Sequence, residues 1–320
     1  MLANQLRSFL RQQLWWIKFQ ELNREGWRDA YIRRRIQNQI LATPPLHTDT
    51  EGDIEVRALT WRRDWKNLIW ALKSFYHYAG QSYPLYIHDG GLTAEGTAAL
   101  HRHFPNARII PQNEADTQVN RIFTERGLSR CLAYRKKNRT TLKLFDFFAL
   151  SQARTMFSID SDIVFFREPR ELLTGDPGKN VYNRDAAFWY SMTLDELEAR
   201  FGLRPPSHIN SGLARIDRRS IDFDAVENWL AEPKLFEDDW VTEQTLHALC
   251  SARYGVELLP PTYAVSTERG MPENVVCKHY PGNKRPLLYQ EGMRKLRDSG
   301  FFASFAQSAT APRRPVVLAR

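Results

Sequence analysis

The run Phe157-Ser158-Ile159-Asp160-Ser161-Asp162-Ile163-Val164-Phe165-Phe166 constrains this chain more than any other stretch. Its apolar residues read as a buried strand, and two carboxylates interrupt it. If a period of two continues through the run, Ser158, Asp160 and Asp162 share one face. Two anions side by side in an apolar setting are costly unless a cation or an array of donors compensates them. A hard divalent metal meets that need, because it takes oxygen ligands and cancels both charges. A helix cap and a buried ion pair are the competing readings.

The bare Asp-x-Asp pattern is weak, since about one copy arises by chance in a chain of this length. A second copy stands at Asp222-Phe223-Asp224. It opens an amphipathic stretch, Ala225 to Leu230, where acids favour a helix start through the macrodipole. The first copy ends an apolar strand, and that context sets it apart.

Charge bounds the partners. The 320-residue chain carries a formal +8, but residues 1–40 hold eight basic and three acidic side chains, and residues 301–320 hold three basic and no acidic ones. Residues 41–300 are therefore neutral overall. A basic balance confined to the two ends argues against nucleic acid as a partner of the core, and no zinc-finger, RRM or KH signature is present. Hydrophobic content of 42% is that of a folded protein. Cys131, Cys250 and Cys277 are scattered and odd in number, which fits a reduced, cytoplasmic setting. No stretch reaches the length of a membrane span and the N-terminus has no signal-peptide apolar region, so neither a leader nor an anchor is expected.

Three segments follow from the pattern. Residues 1–45 form a helical, amphipathic, basic extension, with apolar residues from Leu2 to Ile40 at helical spacing and a break near Gly26. Such a helix packs on the core with a solvated basic face, or docks peripherally on anionic lipid with help from Trp15 and Trp16. The first is the favoured expectation. Residues 46–300 form the main domain, and residues 301–320 a disordered basic tail.

Within the main domain, strands are expected at Ile54–Thr60, Leu85–His88, Arg108–Ile110 and Thr155–Ile159, separated by helices at Asp64–Tyr78, Ala94–His103 and Arg139–Ser151. This alternation predicts an α/β fold with a mostly parallel sheet flanked by helices. The later half is mixed, with strands at Ala186–Ser191, Ile209–Ile216, Val256–Leu259 and Val275–His279 and a helix at Asp239–Ala252. Ligands of such sheets bind at the carboxyl ends of strands, where Asp160 and Asp162 lie.

Three motifs follow the acidic pair. His208-Ile209-Asn210-Ser211-Gly212-Leu213 is a polar turn entering a strand, where Gly212 permits close approach and Asn210 offers a donor and an acceptor. Trp240-Val241-Thr242-Glu243-Gln244-Thr245 places an acid and an amide at a helix start, which capping alone also explains. Cys277-Lys278-His279-Tyr280-Pro281-Gly282-Asn283-Lys284-Arg285-Pro286 sets a histidine at a strand end before a basic loop. Imidazole can complete a site with two carboxylates, and Lys284 and Arg285 can neutralise phosphate oxygens.

As an ordered set, these motifs over residues 54–286 resemble the GT-A fold nucleotide-sugar glycosyltransferases. They are most similar to the retaining family-eight group, which includes glycogenin and bacterial lipopolysaccharide galactosyl- and glucosyltransferases. The resemblance implies a metal-dependent hexosyltransferase using a UDP-sugar donor and Mn2+ or Mg2+, with a glycan, glycolipid or polysaccharide acceptor. It implies Asp160, Asp162 and His279 as metal ligands, Gly282 and Lys284 beside the donor phosphates, and Asn210 and Gly212 near the sugar. Glu243 and Gln244 fall on the reaction centre, with Glu where the family has Asp, and Lys143 becomes a donor contact. The aromatic expected to stack on uracil has no clear counterpart, with Trp61 the candidate. An inverting enzyme would need a carboxylate base, for which Glu243 and Asp239 are the candidates, and the histidine motif favours retention. The alternative is a non-catalytic GT-A domain that binds nucleotide or a partner.

Overall fold

The structure, a computed structural model, describes residues 26–310 apart from 177, 188 and 239. Its centre is a seven-stranded sheet in the order β3-β2-β1-β4-β7-β6-β8. The strands are β1 (Ile54–Thr60), β2 (Leu85–Asp89), β3 (Arg108–Ile110), β4 (Thr155–Ile159), β6 (Asn180–Arg184), β7 (Ile209–Asp217) and β8 (Val256–Leu258). β1 pairs in parallel with β2 and β4, and β2 with β3. β7 runs antiparallel to both β4 and β6, which gives the mixed half expected from the sequence.

Successive residues of each strand serve opposite faces. Phe157, Ile159 and Leu213 join one apolar layer with the Trp65–Ala79 helix, while Met156, Ala214 and Ile216 join the other with the Leu142–Ala149 and Thr242–Tyr254 helices. This period-two division is why the strands read as near-continuous apolar runs: both faces are covered.

The 157–166 run is not one strand. β4 stops at Ile159, the chain turns through Asp160–Asp162, and β5 (Ile163–Phe165) enters a second sheet of order β5-β10-β9. There β10 (Cys277–His279) lies antiparallel to β5, with His279 opposite Ile163, and parallel to β9 (Tyr263–Val265). Pleat alternation therefore does not align the two carboxylates; a corner between two sheets brings them together.

Other expectations shift as well. Among the described residues of 186–191 there is no strand: β6 ends at Arg184, the Asp185 amide makes a last cross-strand bond to the His208 carbonyl, and the Asp185 side chain accepts from the Ala186 amide at 2.7 Å. Helices at Gln112–Glu125 and Ser129–Lys137 were not anticipated; the first buries only Ala115, Val119 and Phe123, a thin stripe in a polar sequence. Residues 301–310 are a helix and not part of a tail, since Phe301 and Phe305 are buried in the core and Phe301 stacks on Trp70 at 6.4 Å. The rest of the expected tail lies outside the described residues. So does the part of the N-terminal extension before Gly26, Trp15 and Trp16 included.

The described part of that extension is the Trp27–Gln37 helix and a 3-10 turn at Asn38–Ala42. Ile36 and Ile40 are buried against the Trp65–Ala79 helix, where Trp70 Nε1 donates to the Gln37 carbonyl at 3.0 Å. Asp222, from the second Asp-x-Asp copy, caps the Phe223–Trp229 helix as its context indicated.

Candidate active site

The corner at Asp160–Asp162 opens where β1 and β4 end. The Asp160 amide still donates to the Gly212 carbonyl at 2.8 Å, and the Tyr280 amide donates to the Asp162 carbonyl at 2.9 Å. These two bonds tie the corner to β7 on one side and to the end of β10 on the other. Asp160, Asp162 and His279 consequently present ligand atoms all within 4.8 Å of one another. His279 Nε2 lies 3.1 Å from an Asp162 oxygen and 4.0 Å from an Asp160 oxygen.

The imidazole is oriented from behind. Its Nδ1 meets Asn210 Oδ1 at 3.0 Å, so Nδ1 carries a proton and Nε2 is the nitrogen that faces the acids, with its lone pair available when the ring is neutral. Asn210 in turn accepts from the Gly212 amide at 3.1 Å and donates to Asp185 at 2.8 Å. Asn210 thus stands behind the histidine. Gly212 makes room for the same ring, since a Cβ there would lie 2.4 Å from His279 Cε1. The close approach read into this glycine is approach by the imidazole.

Two cations balance the acids. Lys143 Nζ contacts both Asp160 oxygens at 3.2 and 3.3 Å and lies 3.8 Å from Glu243. Arg285 reaches Asp162 through Nε at 3.1 Å and Asp64 through a terminal nitrogen at 3.0 and 3.2 Å. Gly282, at φ +55°, turns the chain after Pro281 and sends Arg285 back to the acids. The Lys284 side chain makes no ion pair or hydrogen bond to the described residues; its amide donates to the Pro281 carbonyl at 3.0 Å. Of the two basic residues in this loop, the arginine is the one engaged.

Four carboxylates (Asp64, Asp160, Asp162, Glu243) against two cations (Lys143, Arg285) leave two negative charges. Together with the oxygen-and-imidazole donor set, this balance fits a divalent cation. The pKa shifts reflect the same crowding. Burial raises Asp160, with Asp162 adding to it against the pull of Lys143. Burial also works against ionisation of Asp162, but Arg285 and His279 outweigh it and hold that carboxyl far below the usual range. For His279, burial disfavours the charge while Asp162 and Asp160 raise the pKa above its ordinary value.

Glu243 and Gln244 open the Thr242–Tyr254 helix and face β7. Ser211 Oγ donates to Glu243 Oε2 at 2.8 Å, and the Ser211 amide donates to Gln244 Oε1 at 3.3 Å. Gln244 donates to the Trp189 carbonyl at 3.0 Å. Burial would raise Glu243, yet Lys143, His247 and Ser211 bring it down to about 2.

No protein-family model and no curated protein sequence matches this chain. Solved structures do. The galactosyltransferase LgtC, in complex with donor and acceptor sugar analogues, superposes with a TM-score of 0.51 at 15% identity, over 81% of this chain and 97% of that one. The apo form of mouse xyloside xylosyltransferase 1 gives 0.50 at 13% identity, over 75% and 99%. The chain has the GT-A glycosyltransferase fold.

In this GT-A chain the structure gathers Lys143, Asp160, Asp162, Asn210, Gly212, Glu243, Gln244 and His279 around one corner. Gly282 shapes the loop, and Lys284 stays apart from the acids. Asp239 lies outside the described residues. Trp61 follows β1 and is pinned between Gly90 and Arg139, whose guanidinium carbon lies 5.9 Å from its ring centre. Asp64, Asp185 and His247 were missed. Asp64 had a signal, because it follows the carboxyl end of β1, where ligands of parallel sheets gather. Asp185 and His247 had none, being single residues outside any motif.

Proposed function

We propose that this chain is a metal-dependent hexosyltransferase, moving a sugar from a nucleotide-sugar donor, a UDP-hexose, to a glycan, glycolipid or polysaccharide acceptor with retention. The observation that carries this reading is the convergence of Asp160, Asp162 and His279 between Lys143 and Arg285, beside Glu243 and Gln244. LgtC was crystallised with donor and acceptor sugar analogues, which supports the same two-substrate reading by fold.

Asp160, Asp162 and His279 would hold the cation, and the single nitrogen ligand favours Mn2+ over Mg2+. When bound, the metal supplies Lewis-acid stabilisation of the departing diphosphate. Arg285 is placed to add positive potential on the same side, with Lys284 beside it for a phosphate that reaches the loop. Lys143, held between Asp160 and Glu243, fixes the spacing between the metal side and the sugar side. Gly282 lets the loop fold back over the donor, and Trp61 is the candidate surface for the base.

The retention reading draws on Glu243. A carboxylate held near a pKa of 2 and already accepting from Ser211 is a weak base, so it serves better as a fixed anion opposite positive charge on the sugar.

The setting we assign is cytoplasmic. The three cysteines are all free and buried. Among the described residues no helix is long and apolar enough to cross a membrane. Trp27, Tyr31, Arg34 and Arg35 share the exposed face of the Trp27–Gln37 helix, and we place peripheral contact with anionic lipid there. Liposome flotation of Trp27→Ser with Arg34→Glu and Arg35→Glu tests it; recovery equal to the unaltered chain refutes it.

The function is tested with the whole chain, a panel of UDP- and GDP-sugars, and Mn2+ or EDTA, reading nucleotide diphosphate release. Metal-dependent release from one donor, reduced in Asp162→Ala by about two to three decades, is expected. Silence on every donor, with no nucleotide binding by calorimetry, would instead support the non-catalytic reading.

A further inference from the structure

Behind Glu243 a chain of buried hydrogen bonds runs the length of the Thr242–Tyr254 helix. It starts at Asn180 on β6. The Asp217 amide donates to Asn180 Oδ1 at 2.9 Å, which fixes the other end of the side chain as the donor. That nitrogen donates to Ser220 Oγ at 2.8 Å and Ser251 Oγ at 2.9 Å. Ser251 Oγ donates onward to Tyr182 Oη at 3.0 Å.

Tyr182 Oη, having accepted from Ser251, has its own proton to give, and His247 Nδ1 stands 3.3 Å away. An imidazole that accepts at Nδ1 carries its proton at Nε2. His247 Nε2 is 3.1 Å from Glu243 Oε1, a close polar contact short of hydrogen-bond alignment, and that oxygen has no other hydrogen-bond partner among the described residues. Since each hydroxyl has a single proton, the direction of the whole chain follows from the Asn180 end. All six side chains, Asn180, Ser220, Ser251, Tyr182, His247 and Glu243, are buried.

We infer that His247 is a positioning residue, whose Nε2–H, set by Tyr182 across the ring, holds Glu243 at the reaction centre. The inference rests on the proposed transferase reading for its kinetic consequence, and for its wiring on the hydrogen bonds up to His247 and its 3.1 Å contact with Glu243. Glu243 and His247 are four residues apart on one helix face, so the contact is local and short. The cation within reach of Oε1 is Lys143, 3.8 Å away and shared with Asp160. His247 therefore keeps the Glu243 carboxylate on the β7 side, with Ser211 on its second oxygen, instead of letting it fold towards the metal pair. A residue that only filled space among Phe148 and Tyr182 would be replaced equally well by any side chain of its size.

Two measurements on the whole chain decide it. In histidine-labelled 15N NMR, the His247 ring, assigned by its loss in His247→Gln, should be neutral and protonated at Nε2. Tyr182→Phe should release that tautomer. A ring protonated at Nδ1, or one indifferent to Tyr182→Phe, overturns the wiring, and this readout needs no turnover. In donor turnover, His247→Leu should lower kcat about ten- to a hundredfold while donor KM and Mn2+ affinity stay within about twofold. His247→Gln, which restores a donor at similar reach, should recover most of that loss. Equal kcat in both variants and the unaltered chain, or a rise in KM alone, overturns the positioning role. An unaltered chain without any transfer would defeat the functional reading, and the tautomer would still decide the wiring.

Discussion

Gly212 and His279 are packed so closely that the first residue has no room for a side chain. A Cβ at 212 would sit 2.4 Å from Cε1 and 2.9 Å from Nδ1 of the imidazole. Gly212→Ala should therefore push His279 off the Asp160–Asp162 corner and break its bond to Asn210. Mn2+ affinity by calorimetry is expected to fall about tenfold or more, the cost typical of losing the support of a metal ligand. Unchanged affinity would mean that the ring can move without leaving the site.

Asp64 holds Arg285 in place. The guanidinium spans Asp64 and Asp162, and its charge-assisted bonds to Asp64 fix it from the side away from Asp162. Asp64→Asn should raise the KM for donor about tenfold, in line with roughly 1.5–3 kcal/mol for a hydrogen bond to a charged group. Arg285→Lys should do similar damage, since an ammonium cannot bridge the two carboxylates in the same plane. A donor KM unaltered in both variants would remove Arg285 from the donor site.

Lys73 and His103 make the fold sensitive to acid. Burial brings Lys73 down to about 7, and burial with the Lys73 charge brings His103 down to about 4. Lys73 Nζ and His103 Nδ1 are 2.9 Å apart. Both folded pKa values lie below the unfolded ones, so the unfolded chain binds more protons in the windows between. Stability should rise with pH from about 4 to 6.5 through His103, and from about 7 to 10.5 through Lys73. Urea unfolding across pH 4–9 checks this, and a His103→Gln variant should lose the lower part of the slope. A flat profile in the unaltered chain would refute it.

The Phe301–Thr310 helix belongs to the fold. Phe305→Ala should cost about 3–5 kcal/mol in denaturant unfolding, as for other buried phenylalanines. A loss below about 1 kcal/mol would return this segment to the status of a tail.

Much of the frame was legible in advance. β1, β3, β4 and the Ala94–His103 helix match their expected bounds, because each is an uninterrupted apolar or amphipathic pattern with punctuation at both ends. The Gln112–Glu125 helix was not legible, since four apolar residues in fourteen, three of them buried, carry too little periodic signal. Residues 301–310 were misread because their anchors, Phe301 and Phe305, bury against Trp70 and His77, far away in sequence.

The site divides in the same way. Sequence alone determined the inventory: two carboxylates ending a strand, a histidine ending another, a basic loop, and an acid–amide pair at a helix start. Tertiary structure decided the assignments among them. The corner between the two sheets, not strand alternation, joins Asp160 to Asp162. Arg285, not Lys284, meets the acids, and Asn210 and Gly212 serve the histidine. The physical reason is that residue type sets which charges and donors exist, whereas their partners depend on distances between segments more than a hundred residues apart, as between Asp162 and Arg285, which only the packed fold establishes.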